Sequence, residues 1–213
     1  MTKKERIAQI LTALDDFYGA SDKCYLNYDH TKPWQLLFAT ILSAQCTDDR
    51  VNIVTADLFR DYPTLEDFAA APLRDLEKAI HSTGFYRNKA LGLSGSAHIL
   101  LERYGGQLPS GIDELTAMPG VGRKTANVVR GHIFDIPSIV VDTHVKRVSN
   151  RLGVAKETDP EKIEFELMKV LPKEHWIRYN TQIIAHGRAI CTARSPQCDT
   201  CFLNSLCKFA SKK

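Results

Sequence analysis

Apolar positions recur every three or four residues along most of the chain, the period of a helix with one buried face, and few stretches alternate as half-buried strands do. In "PLRDLEKAIHSTG", Leu73, Leu76 and Ile80 share such a face, and Gly84 stands where a helix end wants a left-handed residue. "TDPEKIEFELMKVL" supplies Asp159 as N-cap and Pro160 at the first helical position, ahead of a stripe of Ile163, Leu167 and Val170. Further on, Trp176, Ile183 and Ile190 lie a heptad apart in "HWIRYNTQIIAHGRAIC". The pattern predicts an all-α protein.

Near the middle, "LTAMPGVGRKTANVV" predicts two short helices around a tight turn. Ser110 is the expected N-cap of the first, which buries Ile112, Leu115 and Met118 and stops at Pro119-Gly120. The second begins near Gly122 and buries Ala126, Val129 and Ile133. At about 100° per residue, Lys124 falls opposite that stripe, in the first turn and out of the core. Two helix ends joined by Gly120-Val121-Gly122 bring backbone N–H groups together where no Cβ obstructs a phosphate. A plain helical hairpin whose glycines only make the turn fits the same spacing.

Composition narrows this picture only a little. A chain of 213 residues, 44% of them hydrophobic, can bury one large core or two small ones, and no repeat or low-complexity tract marks a boundary. The opening "MTKKERIAQI" lacks the apolar stretch of a secretory signal, and no later run is long enough to cross a bilayer, so a cytoplasmic protein with no membrane partner is expected. The net charge of +3 is compatible with a polyanionic partner without requiring one. With no exposed apolar heptad seam, a monomer is expected.

The cysteines add chemistry. Cys191, Cys198, Cys201 and Cys207 crowd into one C-terminal loop with the spacing C-x6-C-x2-C-x5-C, whereas Cys24 and Cys46 lie far off and read as ordinary reduced thiols. Four thiolates in a short loop of a chain without an export signal point to a metal rather than to disulfides. The spacing alone leaves zinc and an iron–sulfur cluster both open.

Taken together, "MPGVGRKTANVV", "VVDTHVKRVSNRLG" and "CTARSPQCDTCFLNSLC" resemble the endonuclease III family of helix-hairpin-helix DNA glycosylases, and "LLFATILSAQCTDDRVN" and "TGFYRNKA" resemble family segments at the expected places. The resemblance covers most of the chain. It implies two helical domains flanking a DNA-binding cleft, residues 23–136 ending in the hairpin and residues 1–22 with 137–213 carrying the cluster. It also implies a [4Fe-4S] cluster on the four C-terminal cysteines, in a loop where Ser195 and Gln197 stand at positions that related sequences often charge.

The implied activity is that of a bacterial base-excision enzyme that removes oxidised pyrimidines from double-stranded DNA and cuts the strand at the resulting abasic site. Lys124 takes the part of the nucleophile and Schiff-base former; without the family, a lysine there reads as a phosphate contact. Asp142, after the apolar run Ile139–Val141, reads as the N-cap of a helix, and the resemblance gives it the second part of stabilising an oxocarbenium-like sugar and steering the lysine's proton. Base extrusion requires side chains that fill the gap, and the resemblance assigns these to Gln45 and Phe85; next to the Gly84 cap, Phe85 reads equally as a core aromatic. Gly120, Val121, Gly122, Arg123, Thr143, His144 and Arg194 complete the implied DNA contacts. His144, Lys146 and Arg147 read either as phosphate contacts or as a solvated helix face. Two rivals stay open. An adenine-mismatch glycosylase shares the cluster and the aspartate but lacks the lysine and carries an extra C-terminal domain, so Lys124 and the short tail after Cys207 favour the lyase. A non-catalytic iron–sulfur sensor bound to DNA is the rival from another class.

Overall fold

The computed structural model describes residues 1–20 and 24–212, which form helices and connecting loops with no strand among the described residues. Among the described residues eleven α-helices follow in order: α1 Lys3–Tyr18, α2 Trp34–Leu42, α3 Asp48–Asp61, α4 Leu65–Ala70, α5 Leu73–Ala79, α6 Tyr86–Tyr104, α7 Ile112–Thr116, α8 Arg123–Phe134, α9 Thr143–Leu152, α10 Pro160–Val170 and α11 Trp176–Ala189. No described helix is long and apolar enough to cross a membrane. The helices fall into two compact units, Cys24–Asp135 and Met1–Lys23 with Ile136–Lys213. The boundary expected between residues 22 and 23 lies outside the described residues.

The unit Cys24–Asp135 is built around α2. Every residue of "WQLLFATIL" is buried, which is the pattern of a helix covered on all sides. It packs against α3, α6 and α8, while α4 and α5 cover the rest of α6. Trp34, Phe38 and Phe68 meet edge to face at one end of this core. In the unit formed by Met1–Lys23 and Ile136–Lys213, α9 and α1 both pack on α11. Ile10, Leu14, Val145, Val148, Tyr179 and Ile183 are buried there, and Arg178 on α11 pairs with Asp15 on α1, Nε to Oδ1 at 3.1 Å.

Several local expectations hold and others shift. Asp159 caps α10 by accepting from the Lys162 N–H at 3.0 Å, with Pro160 behind it. Leu76 and Ile80 are fully buried, but Leu73, the first residue of α5, is exposed; α5 itself gives way at Ile80 to a 3-10 turn, His81–Thr83. Gly84 does carry a positive φ, +69°. The N-cap of α7 is Gly111 rather than Ser110: the Glu114 carboxylate reaches back to the Gly111 N–H at 3.1 Å, so the helix starts one residue later. Val170, Ile112 and Ile133, expected on buried stripes, are only partly buried.

Candidate nucleic-acid interface and metal centre

The hairpin is held on α6 by small residues. A Cβ on Gly95 would stand 2.7 Å from the Pro119 Cγ, and one on Gly92 would stand 3.3 Å from the Pro119 carbonyl oxygen. Ser96 donates its hydroxyl to that same carbonyl at 3.3 Å. The turn therefore sits directly on the α6 backbone, an approach that glycine alone permits. Beyond it Gly120 takes φ +78°, and a Cβ on Gly122 would meet open space. Gly122 then caps α8 in extended backbone and brings no side chain to the start of that helix. Val121 departs from its expected part: its side chain is buried and its N–H already donates to the Met118 carbonyl at 3.2 Å, so it offers no donor to a phosphate. Lys124 is exposed in the first turn of α8, while Ala126 and Val129 on the opposite side are fully buried.

Asp142 caps α9. Its Oδ1 accepts from the Val145 N–H at 2.7 Å, which fixes a half-buried carboxylate in one orientation at the positive end of a helix. Thr143 beside it is exposed. The next cations face differently from the solvated stripe that the sequence suggests. Arg147 turns inward and donates to the Cys191 carbonyl from Nε and Nη2 (3.3 and 3.1 Å) and to the Gly187 carbonyl from Nη2 (3.0 Å), with His144 Nδ1 3.2 Å from the same nitrogen. Gly187 makes room for this, since a Cβ there would stand 2.7 Å from His144 Nδ1.

Gln45 and Phe85 share an unusual backbone. Both are exposed, Phe85 by 63%, and both have left-handed φ, 53° and 48°. Asp135 is the one other non-glycine residue with positive φ among the described residues. Such conformations cost on the order of 1–3 kcal/mol and persist where the surroundings impose them. A core aromatic would be buried, so the exposure of Phe85 excludes that reading of it.

The C-terminal loop is framed by arginines that the sequence reading did not single out. Arg151, on α9, donates to the Cys191 Sγ at 3.3 Å, to the Thr192 carbonyl at 2.7 Å and to the Ala193 carbonyl at 2.8 Å. Arg6, buried on α1, donates to the Leu152, Leu206 and Gly153 carbonyls at 2.7, 2.7 and 3.0 Å. Arg147 and Arg151 stand four apart, the one sequence signal that both lie on a single helix face. Arg194, in the loop itself, is exposed.

All four cysteines line one cavity together with Arg151 and His186. Four thiols around a shared space are a donor set that a [4Fe-4S] cluster accepts. Burial pushes the Cys201 thiol up, and the other three thiols push it further; an electron-withdrawing metal group removes that penalty. His186 has its Nδ1 3.2 Å from the Tyr18 hydroxyl and its Nε2 3.7 Å from the Cys201 Sγ, and burial pulls its imidazole down to about 4.

Comparison with known proteins bears on both halves of this arrangement. Residues 38–173 match the model of the HhH-GPD superfamily of base excision DNA repair proteins, and residues 191–207 match the iron-sulfur binding domain of endonuclease III. Endonuclease III of Synechocystis sp. is 49% identical over 98% of this chain and 94% of its own length, and that of Bacillus subtilis is 47% identical over 86% and 84%. Among solved structures, a non-covalent endonuclease III–DNA complex superposes with a TM-score of 0.92 at 44% identity, covering 100% of this chain and 98% of that one. A trapped covalent endonuclease III–DNA intermediate superposes equally well, with a TM-score of 0.92 at 44% identity over 100% and 99% of the two chains.

Proposed function

The chain belongs to the endonuclease III family of the HhH-GPD superfamily, and from that membership we propose that Lys124 and Asp142 carry the two parts of its base-excision chemistry. The protein is a bifunctional DNA glycosylase and abasic-site lyase with an all-helical fold and a [4Fe-4S] cluster, and its partner is double-stranded DNA. Oxidised pyrimidines are its substrate bases, and it works in the cytoplasm on the DNA of a bacterial nucleoid.

Lys124 supports the reading most directly: an exposed amine in the first turn of a helix, immediately after a hairpin whose glycines leave room for a phosphate. An amine attacks an anomeric carbon only when neutral. The Lys124 Nζ forms a bond to C1′ as the C1′–N bond to the base breaks, and the departing base takes a proton. The nitrogen gives up two protons, one to the departing base and one to the ring oxygen, as the C1′–O4′ bond breaks and the sugar opens to a Schiff base. Loss of a C2′ proton then expels the 3′ phosphate and cuts the strand. Positive charge builds on the sugar during base departure, which calls for a fixed negative partner. The Asp142 carboxylate, held by the Val145 N–H, supplies that charge and accepts or steers the lysine's proton.

Gln45 and Phe85 fill the gap left by the extruded nucleotide, the amide facing the widowed partner base and the ring stacking on its neighbours. Gly120, Gly122 and Arg123 grip one stretch of backbone, and Thr143, His144 and Arg194 grip another. Cys191, Cys198, Cys201 and Cys207 hold the cluster, which when bound ties the loop into a rigid frame.

Borohydride reduction on a duplex carrying thymine glycol or an abasic site is the test. The wild-type protein becomes covalently attached; Lys124→Gln loses attachment and keeps binding. An adduct mapped to any other residue overturns the nucleophile. Asp142→Asn keeps the cap, since asparagine caps as well as aspartate, and slows base release by a factor of at least about 100.

A further inference from the structure

Lys89 on α6 is 5% exposed, an unusual place for an ammonium. Its Nζ donates to the Leu42 carbonyl and to the Thr83 carbonyl, each at 2.8 Å. Leu42 is the last residue of α2, and Thr83 is the last of the 3-10 turn before Gly84. Both are orphan carbonyls at helix ends, where the partial negative charge of aligned peptide dipoles favours a cation. Burial disfavours the ammonium and pulls its pKa below the ordinary lysine value, with nearby Cys46 acting the other way.

The location of those carbonyls makes this more than a capping contact. Leu42 precedes Gln45 by three residues, and Thr83 precedes Phe85 by two. In the first turn of α6 the Lys89 backbone N–H also donates to the Phe85 carbonyl, at 3.2 Å. One residue thus touches the backbone leading into both left-handed positions.

Resting on the proposed part of Gln45 and Phe85 as gap-filling side chains, we propose that Lys89 is a positioning residue that sets the spacing between their two loops. Through its two carbonyl contacts it holds the amide and the ring at the separation that DNA extrusion requires. It touches no DNA itself.

Lys89→Met keeps the length of the side chain and removes the donors. With thymine glycol in a duplex, single-turnover base release by this variant falls by roughly 10- to 100-fold, the loss expected when reacting parts are misplaced by about an ångström. The rise in 2-aminopurine fluorescence opposite the lesion on binding is lost as well, a signal that reduced stability alone does not abolish. In a Gln45→Ala, Phe85→Ala background the same substitution changes the rate by less than about twofold, because what it positions is already gone.

A further drop of full size in that background overturns the proposal. If the Gln45→Ala, Phe85→Ala protein releases base at the wild-type rate, the gap-filling reading itself fails and takes the proposal with it. Should Lys89→Met lack a cooperative melt, Lys89→Arg carries the same cycle: it keeps charge and donors but brings a larger, planar head, and a several-fold loss confined to the Gln45- and Phe85-bearing protein is expected.

Discussion

Gly95 sits within α6, where alanine would ordinarily stabilise the helix by about 1 kcal/mol. Here the new Cβ would stand 2.7 Å from the Pro119 Cγ, well inside the 3.5–4.0 Å at which carbon atoms attract. A proline ring can retreat only by a change of pucker, and the Pro119 carbonyl is already bonded to Ser96 and close to Gly92. The hairpin must lift from α6 by about an ångström. Overpacking of this kind costs roughly 1–3 kcal/mol, so Gly95→Ala should be destabilising on balance by up to about 2 kcal/mol, a few degrees in melting temperature for a chain of this size. The lifted turn carries Gly120 and Gly122, so affinity for an abasic-site duplex at fixed salt should fall too. Gly92→Ala, whose Cβ meets the same residue at 3.3 Å, should be milder in both measurements. A Gly95→Ala protein that melts higher by the whole helix-propensity gain and binds DNA as before would refute the contact between hairpin and helix.

Two further predictions concern the unit that carries the four-cysteine loop. Arg6→Met leaves three carbonyls without their donor and should destabilise by about 3 kcal/mol, with faster loss of visible cluster absorbance under a chelator; an unchanged melt would show that those carbonyls find other partners. Tyr179 is fully buried against Ser149, and burial pushes its hydroxyl up from the ordinary 10 to about 12. Because the folded protein holds this proton more tightly than the unfolded chain, the stability it contributes is complete below about pH 10 and is lost as pH rises toward about 12, some 2–3 kcal/mol in all. Denaturant midpoints measured up that range should fall less steeply for Tyr179→Phe, and an identical slope would contradict the assignment.

Much of the molecule was legible because its signals are local. Helical period, the Asp159 and Asp142 caps, the Pro119-Gly120 stop and the outward side of Lys124 each depend on neighbours within about one turn, and so does the spacing of the four cysteines. The choice between zinc and an iron–sulfur group, by contrast, came from family resemblance, since ligand spacing carries no electron count. Tertiary packing decided the rest. Periodicity left Phe85 open between core and surface, and packing put it outside. Leu73 shares its stripe with buried residues yet faces solvent at the start of α5, a difference that spacing along the chain does not carry. Lys89, Arg6 and Arg151 look like surface cations in sequence and instead meet carbonyls from 6 to 200 residues away. A buried cation is explained only by the orphan backbone groups that surround it, and those are brought together by the fold, not by the chain's order.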